Sequence, residues 1–201
     1  MTIPSRDEGV VKYHAIHQNC ELPPYKLLAQ LDCIRTKLFD LNLVGVYPDG
    51  IGFGNVSIRY ANGCIISGTA TGSIRTLGGN GYCYVHSFDL EKNAVCTKGL
   101  VNASSESMTH CAIYQANSTL QCVLHIHNRK LWKQLIKQGH DSTPSDVPYG
   151  TPQMAISMRD LISINPKPSG LLVMTGHDDG IIAYGSTISL AFNQIQEILT
   201  H

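Results

Sequence analysis

Apolar and polar positions change rhythm several times along this chain, and the rhythm predicts its elements. Between 24 and 42, Leu27, Leu31, Ile34 and Leu38 recur at helical spacing behind Pro24, which predicts an amphipathic helix. Residues 56–60 alternate as a strand, Asn62-Gly63 is a type I′ hairpin signal, and 64–67 reads as the returning strand. The glycine-rich stretches 45–54 and 68–81 read as turns and loop, and a strand is expected at 82–89, directly after the second stretch. Ser104 is expected to cap a helix running to about Asn117. A strand over 121–127, a helix over 129–137 and a polar loop over 139–150 come next. Thr151-Pro152 then opens another helix, with proline at its first position. Residues 171–175 and 180–184 read either as two strands or as one strand interrupted by a loop, and 186–199 as a last amphipathic helix. Helices and strands mix without an internal repeat. The expectation is one α/β domain over 1–201.

Within that pattern, Val123-Leu124-His125-Ile126-His127 is the segment that carries chemistry. A strand sends residues i and i+2 to one face, so His125 and His127 would point the same way. Two neutral imidazoles so placed can grip a zinc ion, and a third ligand would leave the fourth tetrahedral position open. A lone His-x-His on a buried strand is more often structural. Two ionisable rings on one face are nevertheless costly to bury without partners. Candidates for the third ligand lie in Gly176-His177-Asp178-Asp179-Gly180, where His177 and Asp179 would share a face in an extended segment. His177 is favoured because imidazole nitrogen suits zinc; Asp179 could instead accept a hydrogen bond from a ligand ring. The other histidines (14, 17, 86, 110, 140 and 201) have no such company, and His14 and His17 are read as solvated.

Composition narrows the partners. Lys plus Arg equals Asp plus Glu at 15 each, so net charge gives no reason to expect nucleic acid or an anionic membrane. Only 15% of the 201 residues are charged, which suggests that some surface is buried in an oligomer. Seven cysteines without a Cys-x-x-Cys pair, and a start without an apolar h-region, read as reduced thiols in a cytoplasmic protein. No apolar run of 18 residues occurs.

Taken in order, Gly54-Asn55-Val56-Ser57-Ile58-Arg59, Thr71-Gly72, Ser104-Ser105-Glu106, His125-Ile126-His127 and Gly176-His177 to Gly180 resemble the class II aldolase/adducin family. That family includes fuculose-phosphate and rhamnulose-phosphate aldolases, ribulose-phosphate 4-epimerase and methylthioribulose-phosphate dehydratase. The resemblance implies a three-layer α/β/α sandwich with a largely antiparallel central sheet, assembled as a homotetramer with sites near subunit interfaces. It implies that Gly54, Asn55, Thr71, Gly72, Ser104 and Ser105 bind a substrate phosphate. Glycine backbone, hydroxyls and a helix N-terminus suit an anion, although each element alone would be an ordinary turn or cap. It implies that Glu106 is the catalytic acid/base; a carboxylate can take that proton if burial raises its pKa, whereas the plainer reading is a first-turn glutamate favoured by the helix dipole, which would lower it. His125, His127 and His177 would hold the Zn2+.

Two departures stand out. Asp178 and Asp179 separate the third histidine from its glycine, so the third ligand stays open between His177 and Asp179. The stretch from His127 to Pro148 is short and no tyrosine follows Tyr184, so the aldolases' machinery for the leaving aldehyde is not visible. The implied function is a zinc-dependent lyase cleaving a small phosphorylated ketose through a metal-stabilised enediolate. Alternatives are a dehydratase, epimerase or decarboxylase of the same superfamily, or a non-catalytic adducin-like interaction domain.

Overall fold

A computed structural model describes residues 9–200 of the chain, which leaves His201 outside the described residues. In chain order the elements are β1 (His14–Asn19), α1 (Leu28–Asp40), β2 (Gly45–Val46), β3 (Gly52–Phe53), β4 (Asn55–Tyr60) and β5 (Gly63–Ser67). They continue as β6 (Tyr82–Asp89), β7 (Ala94–Gly99), α2 (Ser107–Ala116), β8 (Cys122–His127), α3 (Arg129–Lys137) and α4 (Pro152–Ile164). β9 (Ser169–Val173), β10 (Gly180–Gly185) and α5 (Ile188–Leu199) complete the chain.

Eight strands form one sheet in the order β1-β7-β6-β5-β4-β8-β10-β9, and β2 and β3 form a separate short ribbon. Every pairing in the large sheet is antiparallel except β1 with β7. The period-two alternation of the strands feeds two cores. Cys64, Ile66, Val123 and Ile182 pack with α2 and α4, whereas Ile65, Cys122, Leu124 and Ile181 pack with α1, α3 and α5. The result is the three-layer α/β/α sandwich, with all six residues of β8 buried between the two helical layers.

Polar N-caps fix three helix starts, of which only Thr151 is signalled in the sequence reading. Asn128 accepts from the Leu131 N–H ahead of α3, Thr151 from Met154 ahead of α4, and Thr187 from Leu190 ahead of α5. Residues 171–175 and 180–184 belong to two strands, β9 and β10, paired with each other.

Other expectations need correction. Helix α1 starts at Leu28, four residues after Pro24, and its buried face includes Asp32 and Arg35 beside Leu31 and Leu38. Ser104 does not cap α2, which begins three residues later. The β4–β5 turn falls on Ala61-Asn62, with Ala61 at φ 47° and Tyr60 opposite Gly63. Gly63 is needed there because a Cβ would meet the Val85 carbonyl oxygen at 1.9 Å. The sequence pattern does not predict β1 and β7: β1 is nearly all exposed and is held by backbone pairing, so it leaves no apolar pattern. His14 is exposed as expected, but His17 is half-buried with Nδ1 2.8 Å from Thr97 Oγ1. No disulfide joins any of the seven cysteines. Among the described residues no helix is long and apolar enough to cross a membrane.

Candidate metal centre and adjoining cavity

β8 brings His125 and His127 out on the same face as Val123, toward α2 and α4, as the alternation predicts. Across the ladder His127 pairs with Gly180, the first residue of β10, and the turn before it carries His177. That turn is closed by the Gly180 N–H donating to the His177 carbonyl at 3.0 Å, with Asp179 at φ 69°. The two inserted aspartates therefore build the turn. It brings the His177 ring 5.2 Å from His125 and 4.8 Å from His127, centroid to centroid. Candidate ligand nitrogens of His125, His127 and His177 all lie within 4.8 Å of one another, and the rings are 1–4% exposed. Asp179 is not in this group; its Oδ1 lies 3.6 Å from Arg129.

The three imidazoles fit a divalent cation. Glu106 Oε2 lies 2.5 Å from His125 Nδ1, which directs His125 Nε2 to the ion, and that atom is buried without a hydrogen-bond partner. Tyr47 Oη takes up His127 Nδ1 at 2.8 Å. Gly180 leaves room for the rings, since a Cβ there would stand 2.7 Å from His177 Cδ2 and 3.2 Å from His125 Nε2. Tetrahedral zinc ligands stand roughly 3.4 Å apart, so the rings would draw together on an ion. Burial holds His177 down at about 4 against the pull of Glu106, so its ring is neutral at neutral pH, the form that ligates.

Glu106 reaches the cluster from the turn that precedes α2. Ser107 donates to the Ser104 carbonyl through both its N–H, at 3.1 Å, and its hydroxyl, at 2.7 Å, while Ser104 Oγ accepts from the Glu106 N–H at 3.3 Å. Ser104 thus ties the turn rather than the helix. Burial alone would raise the Glu106 carboxyl. The charge and hydrogen bond of His125, with His177 and His110 behind it, overcome that and hold it at about 2. The upward shift that burial alone would give is therefore reversed, and Glu106 is ionised at neutral pH.

A cavity of about 280 Å³ opens beside Glu106 and His125. Gly54, Asn55, Thr71, Gly72, Ser104 and Ser105, six residues from three separate stretches of sequence, all line it. Asn55 Nδ2 approaches His125 Nδ1 at 3.3 Å, so Asn55 stands at the border with the imidazole cluster. Gly54 has φ +72°, and a Cβ there would press on Val44 at 2.7 Å. The Thr71 hydroxyl donates to the Gly68 carbonyl at 2.7 Å. Gly9 and Val10 form part of the wall.

Several residues of this region escape a reading of the sequence. Tyr47 sits in a stretch read only as glycine-rich turn, and Tyr149, whose ring stacks on His177 at 4.6 Å, lies in a loop read as merely polar. Lys12 Nζ lies 3.9 Å from the Tyr149 ring centroid. His110, expected to have no company, is fully buried with Nδ1 2.7 Å from Ser57 Oγ, which in turn lies 2.8 Å from Tyr114 Oη. A signal was present, because His110 follows Glu106 by four residues, one helical turn.

Residues 49–200 match the Class II Aldolase and Adducin N-terminal domain. Among solved structures, the chain is similar to l-fuculose-1-phosphate aldolase from Thermus thermophilus, at 16% identity over 86% of this chain and 88% of that one, with a TM-score of 0.61. YgbL from Klebsiella pneumoniae, a putative aldolase/epimerase/decarboxylase, is similar at 19% identity, 86% and 84% coverage and a TM-score of 0.63. A sugar-phosphate aldolase from Thermotoga maritima is similar at 14%, with 85% and 89% coverage and a TM-score of 0.61. At these identities the likeness is one of fold. No curated protein sequence matches. With three quarters of its length matched and three buried histidines converging as a candidate metal site, the chain belongs to the class II aldolase and adducin N-terminal domain family, as a class II aldolase-family enzyme.

Proposed function

We propose that this chain is a zinc-dependent lyase of aldolase type acting on a small phosphorylated ketose. The observation that carries this reading is the meeting of three buried imidazoles and one buried carboxylate, two of which, His125 and Glu106, also line a cavity that glycines and hydroxyl side chains share with Val10, Ile51 and Phe53. His125, His127 and His177 would hold the cation. When bound, it supplies Lewis-acid polarisation of a substrate carbonyl and stabilises the charge of an enediolate.

The chain's own groups do the rest. Gly54, Thr71, Gly72, Ser104 and Ser105 bind the phosphate through backbone N–H groups and hydroxyls, which fixes the position of the reacting carbons. Asn55, which lines the same cavity beside His125, belongs to this phosphate-binding set. Glu106 is ionised and acts as the base, taking a proton from a substrate hydroxyl or carbon and returning it to the product. The same groups of this chain would also suit dehydration, epimerisation or decarboxylation. A homotetramer is the assembly we assign, in keeping with the low fraction of charged residues.

The test is metal analysis combined with a panel of ketose phosphates, with and without chelator. The proposal expects about one zinc per chain and cleavage into two carbonyl fragments that stops on chelation. Loss of water, inversion at carbon or release of carbon dioxide would keep the metal site and replace the lyase step. A folded chain that binds no divalent metal would leave the non-catalytic, adducin-like reading in its place.

A further inference from the structure

The cavity's glycine-rich wall is held from behind. Helix α1 presents two buried charged residues, Asp32 and Arg35, to the loop that follows Gly68. Arg35 Nη2 donates to the Thr71 carbonyl at 3.0 Å, and Nη1 donates to the Arg75 carbonyl at 2.8 Å and to that of Ile74. Asp32 accepts from the Leu77 N–H at 3.2 Å, the Gly78 N–H at 3.0 Å and the Tyr82 hydroxyl at 2.9 Å. One guanidinium and one carboxylate thus fasten the loop at both ends. On its other side, Gly72 is so close to β2 that a Cβ would meet the Gly45 carbonyl oxygen at 2.2 Å.

A peptide unit is planar and trans, so its C=O and the next residue's N–H point in opposite directions. Drawing the Thr71 carbonyl inward to Arg35 therefore turns the Gly72 N–H away from α1, and Gly72 is a wall of the cavity. The geometry points to Arg35 as the positioning residue of the anion site: it touches no ligand, but its grip on the 71–75 carbonyls aims the Gly72 N–H at a bound phosphate, with Asp32 locking the far end of the loop. This rests on the reading of the cavity as a phosphate site. A lysine could not reproduce the effect in full, because one ammonium lacks the planar fork that reaches several carbonyls at once.

The experiment measures inorganic phosphate and Co2+ binding by calorimetry on the full chain, for wild type, Arg35→Gln, Arg35→Lys and Arg35→Ala. Phosphate affinity is expected to fall about tenfold or more in Arg35→Gln and less in Arg35→Lys, since displacing a binding group by even 1 Å is costly. Co2+ affinity is expected to stay within about twofold, because the imidazoles lie outside the clamp. Ethylguanidinium is expected to restore phosphate binding to Arg35→Ala but not to Arg35→Gln, a rescue that general loosening of the fold would not show. Should Arg35→Gln fail to fold, Arg35→Lys carries the comparison. Wild-type-like phosphate affinity in the folded variant overturns the inference. If wild type itself binds no phosphate, the cavity reading fails. Amide exchange at 71–78 then decides the clamp: faster exchange in the variant supports it, and unchanged exchange overturns it.

Discussion

The two ends of the site are built in opposite ways. At the metal end the chemistry sits on rigid elements: His125 and His127 on a strand buried on both faces, and His177 in a turn closed by its own backbone. At the proposed anion end the walls come from four separate stretches of sequence, mixing backbone and hydroxyls with the apolar Val10, Ile51 and Phe53, and offering no charged side chain beyond Glu106 at the junction. The metal end is thus specified by what its residues are. The anion end is specified by where distant residues hold it. Substitutions at the first should change chemistry, and substitutions behind the second should change affinity.

The largest expected effect tests the junction. Glu106→Gln keeps the volume and an amide oxygen that can still accept from His125 Nδ1, but loses the base, so turnover is expected to drop by about 10²–10⁴-fold while metal content is retained. Steady-state kinetics with metal analysis on the same samples checks this; metal lost together with activity would move Glu106 from proton transfer to ligand support. Next comes Tyr47→Phe, which removes the partner of His127 Nδ1 and is expected to weaken metal binding by about 10–100-fold. Phosphate binding should not change, and competition titration with a chelating dye reads the difference. Gly180→Ala pushes a methyl at the rings of His177 and His125, and should weaken metal binding by about tenfold through their displacement. A variant that instead lost phosphate binding would erase the division between the two ends.

The smallest effect concerns pH. Burial lowers His110 from 6.5 to about 3, against the pull of Glu106 and with help from His125. Between those values the unfolded chain takes up a proton that the folded chain refuses. Stability is therefore full above about pH 6.5 and is lost as pH falls toward about 3. Urea melts of the metal-free protein from pH 7.5 to 4 should slope downward on acidification, and His110→Gln should flatten that slope. An equal slope in both proteins would show that His110 does not bear the cost.

The contrast between the two ends also decides what the sequence could disclose. Strands built on β-branched residues, such as β4 and β8, and helices with polar caps, such as α3 and α4, announce themselves because one local rule dominates each. The imidazole pair was legible for the same reason, since a two-residue period alone puts both rings on one face. His177 was favoured over Asp179 on ligand chemistry alone; what stayed illegible was the geometry behind the choice, a left-handed Asp179 that turns one side chain to Arg129 and the other to the cluster. Strand β1 was invisible because it buries almost nothing. Asp32 and Arg35 were hidden in a helix read for its leucines, as buried polar residues whose partners lie more than 35 positions away. The direction of the Glu106 shift was equally out of reach, because burial and neighbouring imidazoles oppose each other and only distance settles which prevails.

The central claim is that His125, His127 and His177 close on one divalent ion. Cobalt titration of the metal-free protein tests it most directly, followed in the visible for the wild type and for His125→Ala. The account predicts one cobalt per chain in wild type, with the intense d–d absorption of a low-coordinate nitrogen-rich site, and loss of that absorption in His125→Ala with the fold intact. A well-folded wild-type chain that takes up no cobalt, or a His125→Ala variant with an unchanged spectrum, would contradict it.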